Sequence, residues 1–284
     1  MSSSTPTRLT TAGPMTSPRG AAGSPPAGPP PVPAQSVSAA PRPAAPTLAV
    51  VVRETIKATP VLGELASTAA RRYRTSHFPG SAAFWERHYA AGRDSGPGSF
   101  GHLADFKAKV IADVCAEQRI TSVVEWGCGD GNQLAKLTVP RYLGLDVSRS
   151  AIEGCIRRFG GDPDKSFAWY EPGAFLDNAG FLRADLALSL DVVYHLVEDL
   201  TFTTYLRLLF RSARRHVLIY STDVDGLRHS EPHVRDRKFS SWVASNEPDW
   251  RLQRTIRNPY PFTGVEEAGS LSDFFLFSRA ATAD

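Results

Sequence analysis

The sequence has little that would cross-link it or place it in a membrane. Only three of its 284 residues are cysteine, Cys115, Cys128 and Cys155. They are odd in number, at spacings that match neither a disulfide framework nor a zinc site, which points to a reducing compartment. No apolar run approaches the roughly 18–20 residues that span a bilayer, and the N-terminus lacks the apolar core of a secretory signal. The expectation is a cytoplasmic protein without a membrane partner. Excess charge of one sign is scarce as well: the net charge of +3 and pI near 8.8 do not by themselves argue for nucleic acid or a membrane surface. Acidic residues are absent before Glu54, and residues 1–46 hold more than half of the 22 prolines. Such a segment cannot bury enough apolar surface to offset its ordering entropy and reads as a disordered tail, with an organelle transit peptide as the alternative.

What is present is an ordinary globular composition, 42% hydrophobic and 21% charged, enough for a full core in one domain. Residues 47–99 read as a helical lead-in and lid. Within them FWERHYAA (84–91) is a short aromatic helix and GRDSGPGSFG (92–101) a flexible loop ending the segment. Residues 100–284 read as the main domain. There FGHLADFKAKVIADVCAEQ places Leu103, Phe106, Val110, Ile111 and Val114 at helical spacing, predicting a helix over 100–118. The apolar runs SVVEW, YLGLD, FAWYE, ADLALSLDVV and HVLIYST then alternate with helical patterns. This is the signature of βαβ units and a mainly parallel sheet buried on both faces. HVRDRKFSSWVASN (233–246) reads as another helix, and WRLQRTIR and SDFFLFSR as an antiparallel hairpin at the sheet edge. The fold class expected is α/β, Rossmann-like and doubly wound.

The chemistry concentrates in VVEWGCGDGNQLAKL (123–137), read as a strand, a glycine turn and a helix start. The spacing of Gly127, Gly129 and Gly131 is G-x-G-x-G, unlike the G-x-G-x-x-G of dinucleotide sites. A pyrophosphate here would lie close to Glu125 and Asp130, and like charges at short range in a partly desolvated cleft are repelled by several kcal/mol in order of magnitude. A ligand with a ribose and a cationic group but no phosphate suits the same carboxylates. Asp146, ending YLGLD, lies where an acidic side chain accepts hydrogen bonds from ribose hydroxyls. Trp169, Tyr170 and Glu171 end the third strand beside an adenine position. Plainer readings stand next to these. The glycines also suit a tight turn alone, Cys128 a small buried thiol, and Asp146 a helix cap.

EWGCGDG, followed by YLGLD and LALSLDVVYHL, resembles the class I S-adenosylmethionine-dependent methyltransferases, over roughly residues 100–279. The resemblance implies S-adenosyl-L-methionine as cofactor, held by Glu125, Gly127, Cys128, Gly129, Gly131, Asp146, Tyr170, Glu171, Ser189 and Leu190. WYEP departs from many members at the adenine position. The implied activity is methyl transfer to a small-molecule or carbohydrate-like acceptor at oxygen. The alternatives are a protein or nucleic-acid methyltransferase and a non-catalytic regulatory domain that binds the cofactor. Against nucleic acid, there is no large basic stripe with interleaved aromatics, and NPYPF (258–262) falls between the last two strands.

A sulfonium methyl is already activated, so alignment and exclusion of water are the main demands. For a hydroxyl acceptor His195 is the candidate base, with Asp191 as a second catalytic candidate, although His195 in VVYHLVED also suits a structural cap. Ser99 or Gly101 would approach the cofactor carboxylate from the lid loop. Tyr194, His233 and Arg235 are candidate acceptor contacts. With His229, Arg237 and Lys238, the last two form either a solvated basic face or a site for an anionic acceptor. Asp191, Asp223 and Asp225 suit a divalent ion by chemistry, but their spacing requires none, and no metal is expected.

Overall fold

A computed structural model describes residues 78–226 and 231–280. The tail over 1–46 and the part of the lead-in before residue 78 lie outside the described residues. The described lead-in comprises α1 (Ser81–Ala90) and a single 3₁₀ turn, Pro97–Ser99. α2 follows over Gly101–Glu117, and its apolar residues face inward as the spacing predicts.

Seven strands form one sheet: β1 (Ser122–Trp126), β2 (Arg141–Asp146), β3 (Lys165–Trp169), β4 (Ala184–Leu190), β5 (Ala213–Ser221), β6 (Trp250–Ile256) and β7 (Asp273–Arg279). Their order is β3-β2-β1-β4-β5-β7-β6. Every pairing among β1–β5 is parallel, and β7 enters antiparallel between β5 and β6. The order reverses beside β1, because one crossover leads from β1 to β2 and a later one leads from β3 back to β4. A crevice opens at such a switch, outside the carboxyl ends of the strands.

The remaining helices are α3 (Arg149–Phe159), α4 (Asp199–Arg211) and α5 (Phe239–Asn246). Apart from a register shift between Ala184 and Leu186, strand residues alternate between two cores, as a period of two requires. Val124, Ala187, Val217 and Ile219 join Leu206, Leu209, Phe210 and Phe239 on one face. Val123, Leu186, Leu188, Leu218 and Tyr220 join Val110, Ile111 and Val114 on the other. By the same alternation Glu125 falls on the α2 face and Trp126 on the α4 face.

Two expected helices are corrected. No α-helix follows the glycine turn. QLAKL makes one 3₁₀ turn, Leu134–Lys136, and is then drawn straight by Thr138, Val139 and Pro140 into β2. The helix expected over 233–246 begins only at Phe239. Before it, tertiary bonds hold the chain extended: the Arg235 amide donates to the Tyr194 carbonyl at 2.8 Å, and Thr222 donates its hydroxyl hydrogen to Asp236.

Candidate active site

The glycine turn begins one residue past β1, where the Gly127 amide donates to the Leu145 carbonyl at 2.7 Å. Gly127, Gly129 and Gly131 all have positive φ (80°, 55° and 75°), conformations that side chains disfavour. Each also meets a different neighbour. A Cβ on Gly127 would stand 2.5 Å from Val192, one on Gly129 2.7 Å from the Tyr89 hydroxyl, and one on Gly131 2.6 Å from Phe159. The first glycine thus admits the end of β4, the second the α1 segment, and the third α3.

A cavity of about 630 Å³ opens above this turn, within the usual range for ligand sites of about 300–1,000 Å³. Glu125 and Asp146, 3% and 5% exposed, lie at its floor. Glu125 accepts a 2.5 Å bond from the Tyr142 hydroxyl. Burial nevertheless pushes its pKa up to about 7, against that bond and the nearby Lys107 charge. Asp146 accepts from the Gly129 amide at 2.9 Å and the Ser148 amide at 2.7 Å. Burial outweighs these bonds too and lifts its pKa to about 6. Asp130 is turned elsewhere, its carboxylate accepting from Ser95 and Asn132, so the expectation that it lines the cleft is corrected.

The end of β4 supplies the second wall. Asp191 sits at φ 57°, which stops the strand there. One carboxylate oxygen receives Lys107 Nζ at 2.6 Å and the other the Tyr194 hydroxyl at 2.9 Å. Both oxygens of Asp191 are thus engaged by groups of the protein, while the residue still lines the cavity. Lys107 is 1% exposed and also lies 5.4 Å from the centre of the Tyr220 ring. His195 ends a 3₁₀ turn, Val193–His195, and its Nδ1 lies 3.0 Å from the His233 carbonyl. A carbonyl only accepts, so Nδ1 carries the hydrogen and Nε2 is the basic nitrogen. Burial lowers the pKa to about 4, with the neighbouring His233 ring adding to the effect and the bond to its carbonyl opposing it.

α1 and the loop after it roof the cleft through carboxylate-to-serine bonds. Glu86 accepts from the Ser148 hydroxyl (2.8 Å) and from the Ser150 amide and hydroxyl (3.2 and 2.7 Å). Glu198 accepts from the Ser81 amide and hydroxyl (2.8 and 2.7 Å). Trp85 packs edge-on to His195 at 4.8 Å, and Phe84 stacks on His233 at 4.3 Å.

No protein-family model matches the chain, and no curated protein matches it in sequence. Solved structures do. The N-methyltransferase NodS from Bradyrhizobium japonicum WM9, in complex with S-adenosyl-L-homocysteine, is similar at 14% identity and TM-score 0.54, over 70% of this chain and 98% of that one. The methyltransferase domain of bacterial CtHen1-C is similar at 19% identity and TM-score 0.50, over 63% of this chain and all of that one. The fold is a class I methyltransferase fold.

Within it the expected site residues divide. Glu125, Gly127, Cys128, Gly129, Asp146, Tyr170, Leu190, Asp191, Tyr194, His195 and His233 all line the one cavity. Gly131, Glu171, Ser189 and Arg235 do not line it. Gly131 packs on α3, and Glu171 is exposed on the outer surface. Ser189 is fully buried, its hydroxyl bonded by Tyr205 at 2.7 Å. Arg235 donates to the Val197 carbonyl at 2.9 Å and pairs with Asp199. Arg237 is likewise bound to the Leu196 and Val197 carbonyls and to Asp199, so these two arginines are already engaged, while His229 of the same run lies outside the described residues. Tyr170 reaches the cleft while packed edge-on to Trp126 at 5.0 Å. Of the lid-loop residues, Ser99 is in the lining, buried, and Gly101 is not. Asp223 bonds Ser240 and Asp225 the Lys238 amide, both away from the cleft lining.

Sequence reasoning missed Lys107, Tyr89 and Trp85. Lys107 had a signal, because it falls on the apolar face of α2 between Leu103 and Ile111, where a charge needs a buried partner. Tyr89 and Trp85 had none beyond the aromatic richness of α1.

Proposed function

We propose that this protein transfers the methyl group of S-adenosyl-L-methionine to a small-molecule acceptor, at oxygen. The observation that carries this reading is the pair of buried carboxylates, Glu125 and Asp146, below a glycine turn at the switch point of the sheet. Two carboxylates in one desolvated floor repel phosphate and attract a cation and a ribose.

The residues fit the group. Asp146 keeps lone pairs for ribose hydroxyls beyond its two amide bonds. Val147, Tyr170 and Pro172 wall the side where adenine would lie. Lys107 and Asp191 present opposite charges 2.6 Å apart to the same space, a match for an amino-acid carboxylate and ammonium. The Gln133 side-chain oxygen is buried in the cavity wall without a partner, a vacancy that costs stability unless a ligand donor fills it. When bound, S-adenosyl-L-methionine supplies an electrophilic methyl on a sulfonium.

The chain's own residues then position, dehydrate and take a proton. The α1 roof keeps water out while Trp85 and Tyr194 confine the acceptor. His195, neutral and with Nε2 basic, accepts the hydroxyl proton as the new bond forms. His233 fixes its tautomer through the backbone carbonyl. A roofed cavity favours a small acceptor over a duplex or a protein surface.

Calorimetric titration tests the cofactor: S-adenosyl-L-homocysteine binds and NAD does not, and the reverse result overturns the reading. For the base, His195→Ala lowers kcat by about 10²-fold or more, with the affinity for S-adenosyl-L-homocysteine changed less than twofold. Full retained activity removes His195 from the mechanism.

A further inference from the structure

The cavity lining has a one-sided hydrogen-bonding character. His88 Nε2 lies 2.8 Å from the Asp94 carbonyl, so it carries the hydrogen, and the buried Nδ1 is a bare acceptor without a partner. His195 is fixed in the opposite sense, through Nδ1 to the His233 carbonyl, which leaves Nε2 as its acceptor. Glu266 adds a carboxylate to the cavity lining. Among the described residues that line the cavity, Lys107 is the one Lys or Arg side chain, and Asp191 already neutralises it. Trp85, His88, His195 and Tyr194 supply flat faces.

A ligand placed here must bring donors, because acceptor atoms left facing each other across a buried space are unsatisfied and repel. Phosphates and carboxylates bring none and add negative charge. Ring hydroxyls and ammonium groups bring several, and the carbon faces of a sugar ring pack on aromatic walls. Resting on the methyl-transfer reading above, we infer that the acceptor is a non-anionic molecule rich in hydrogen-bond donors, a sugar-like polyol or its amino derivative. This replaces the anionic acceptor that the basic run 233–238 suggested. The geometry assigns His88 as a specificity residue, whose Nδ1 receives one acceptor hydroxyl or ammonium.

The test uses the full chain, S-adenosyl-L-methionine labelled in its methyl group, and a small-molecule cell extract separated by ion exchange into neutral, cationic and anionic fractions. Methyl glucoside, glucosamine and glucose 6-phosphate are run as defined members. Label is expected in the neutral or cationic fraction, at least tenfold above the anionic one, in a product that periodate cleaves. Mass spectrometry of the product separates oxygen from nitrogen as the methylated atom. Label chiefly in the anionic fraction overturns the inference, as does no label in any fraction while S-adenosyl-L-homocysteine still binds. Failure of S-adenosyl-L-homocysteine to bind overturns the underlying reading instead. His88→Phe keeps the ring and removes the acceptor nitrogen. It is expected to raise KM for the labelled acceptor about tenfold with kcat and cofactor affinity nearly unchanged, and an unchanged KM removes His88 from the site.

Discussion

Glu125 is the residue on which the proposed cofactor recognition and stability pull in opposite directions. Its carboxyl pKa is raised by burial to about 7 from an ordinary 4.5. A carboxyl raised on folding destabilises the native state above its folded pKa, and that cost declines as pH falls from there to the unfolded pKa. Asp146 behaves alike with a folded pKa of about 6. His195 is opposite in sign: depressed to about 4 from 6.5, it loses stability as pH falls from about 6.5 toward 4. Comparing wild type with Glu125→Gln cancels the other two groups. At pH 8 the ligand-free variant should melt higher than wild type, because an amide tolerates burial better than a charge. The gap should narrow as pH falls below 7 and close only below about 4.5, where the carboxyl is protonated in the unfolded chain as well. A gap independent of pH in thermal unfolding would remove the buried charge from the account. In the same variant, affinity for S-adenosyl-L-homocysteine at pH 8 should fall about tenfold, equivalent to about 1.4 kcal/mol.

At the scale of elements, α1 is attached chiefly by polar latches. Glu86 holds Ser148 and Ser150 at the start of α3, while Ser148 separately caps α3 by accepting from the Ala151 amide at 3.1 Å. Glu86→Ala should therefore loosen the roof and spare the helix beneath. Hydrogen exchange is expected to quicken at least tenfold over Ser81–Ala90 and to stay unchanged over Arg149–Phe159. Equal loss of protection in both would mean that the two helices open as one unit. The sheet and the cleft floor were legible in the sequence because their signals are local: β-branched runs for the strands, glycines and carboxylates at fixed offsets for the turn. The roof was not. Tyr89 and Ser95 gain their meaning only by meeting Gly129 and Asp130, residues 35–40 positions later in the chain. The start of α5 was misplaced for the same reason, since His233–Lys238 carries a helical pattern that distant carbonyls override. The basic run was misread because no sequence pattern records that Arg235 and Arg237 are spent on Leu196, Val197 and Asp199.

For the whole molecule, the Lys107–Asp191 pair is the joint at which the layers meet. Lys107 comes from α2, Asp191 from the end of β4, Tyr194 from the turn after it and Tyr220 from β5. The Pro97–Ser99 turn closes over them, so near that a Cβ on Gly98 would stand 3.2 Å from the Asp191 carboxylate. Removing one charge strands the other. Lys107→Met alone should cost about 3 kcal/mol, a fall in melting temperature on the order of 10 °C for a domain of this size. Asp191→Asn suits the left-handed backbone, which asparagine tolerates, but leaves the ammonium unpaired and should cost a similar amount. The double variant Lys107→Met/Asp191→Asn removes both charges and should cost no more than either single change, giving a coupling energy of about 3 kcal/mol across the cycle. It should still bind S-adenosyl-L-homocysteine at least tenfold more weakly than wild type, because the opposite charges that face an amino-acid group are gone. Additive losses would show that the pair is not coupled, and undiminished binding in the double variant would show that it does not face the ligand.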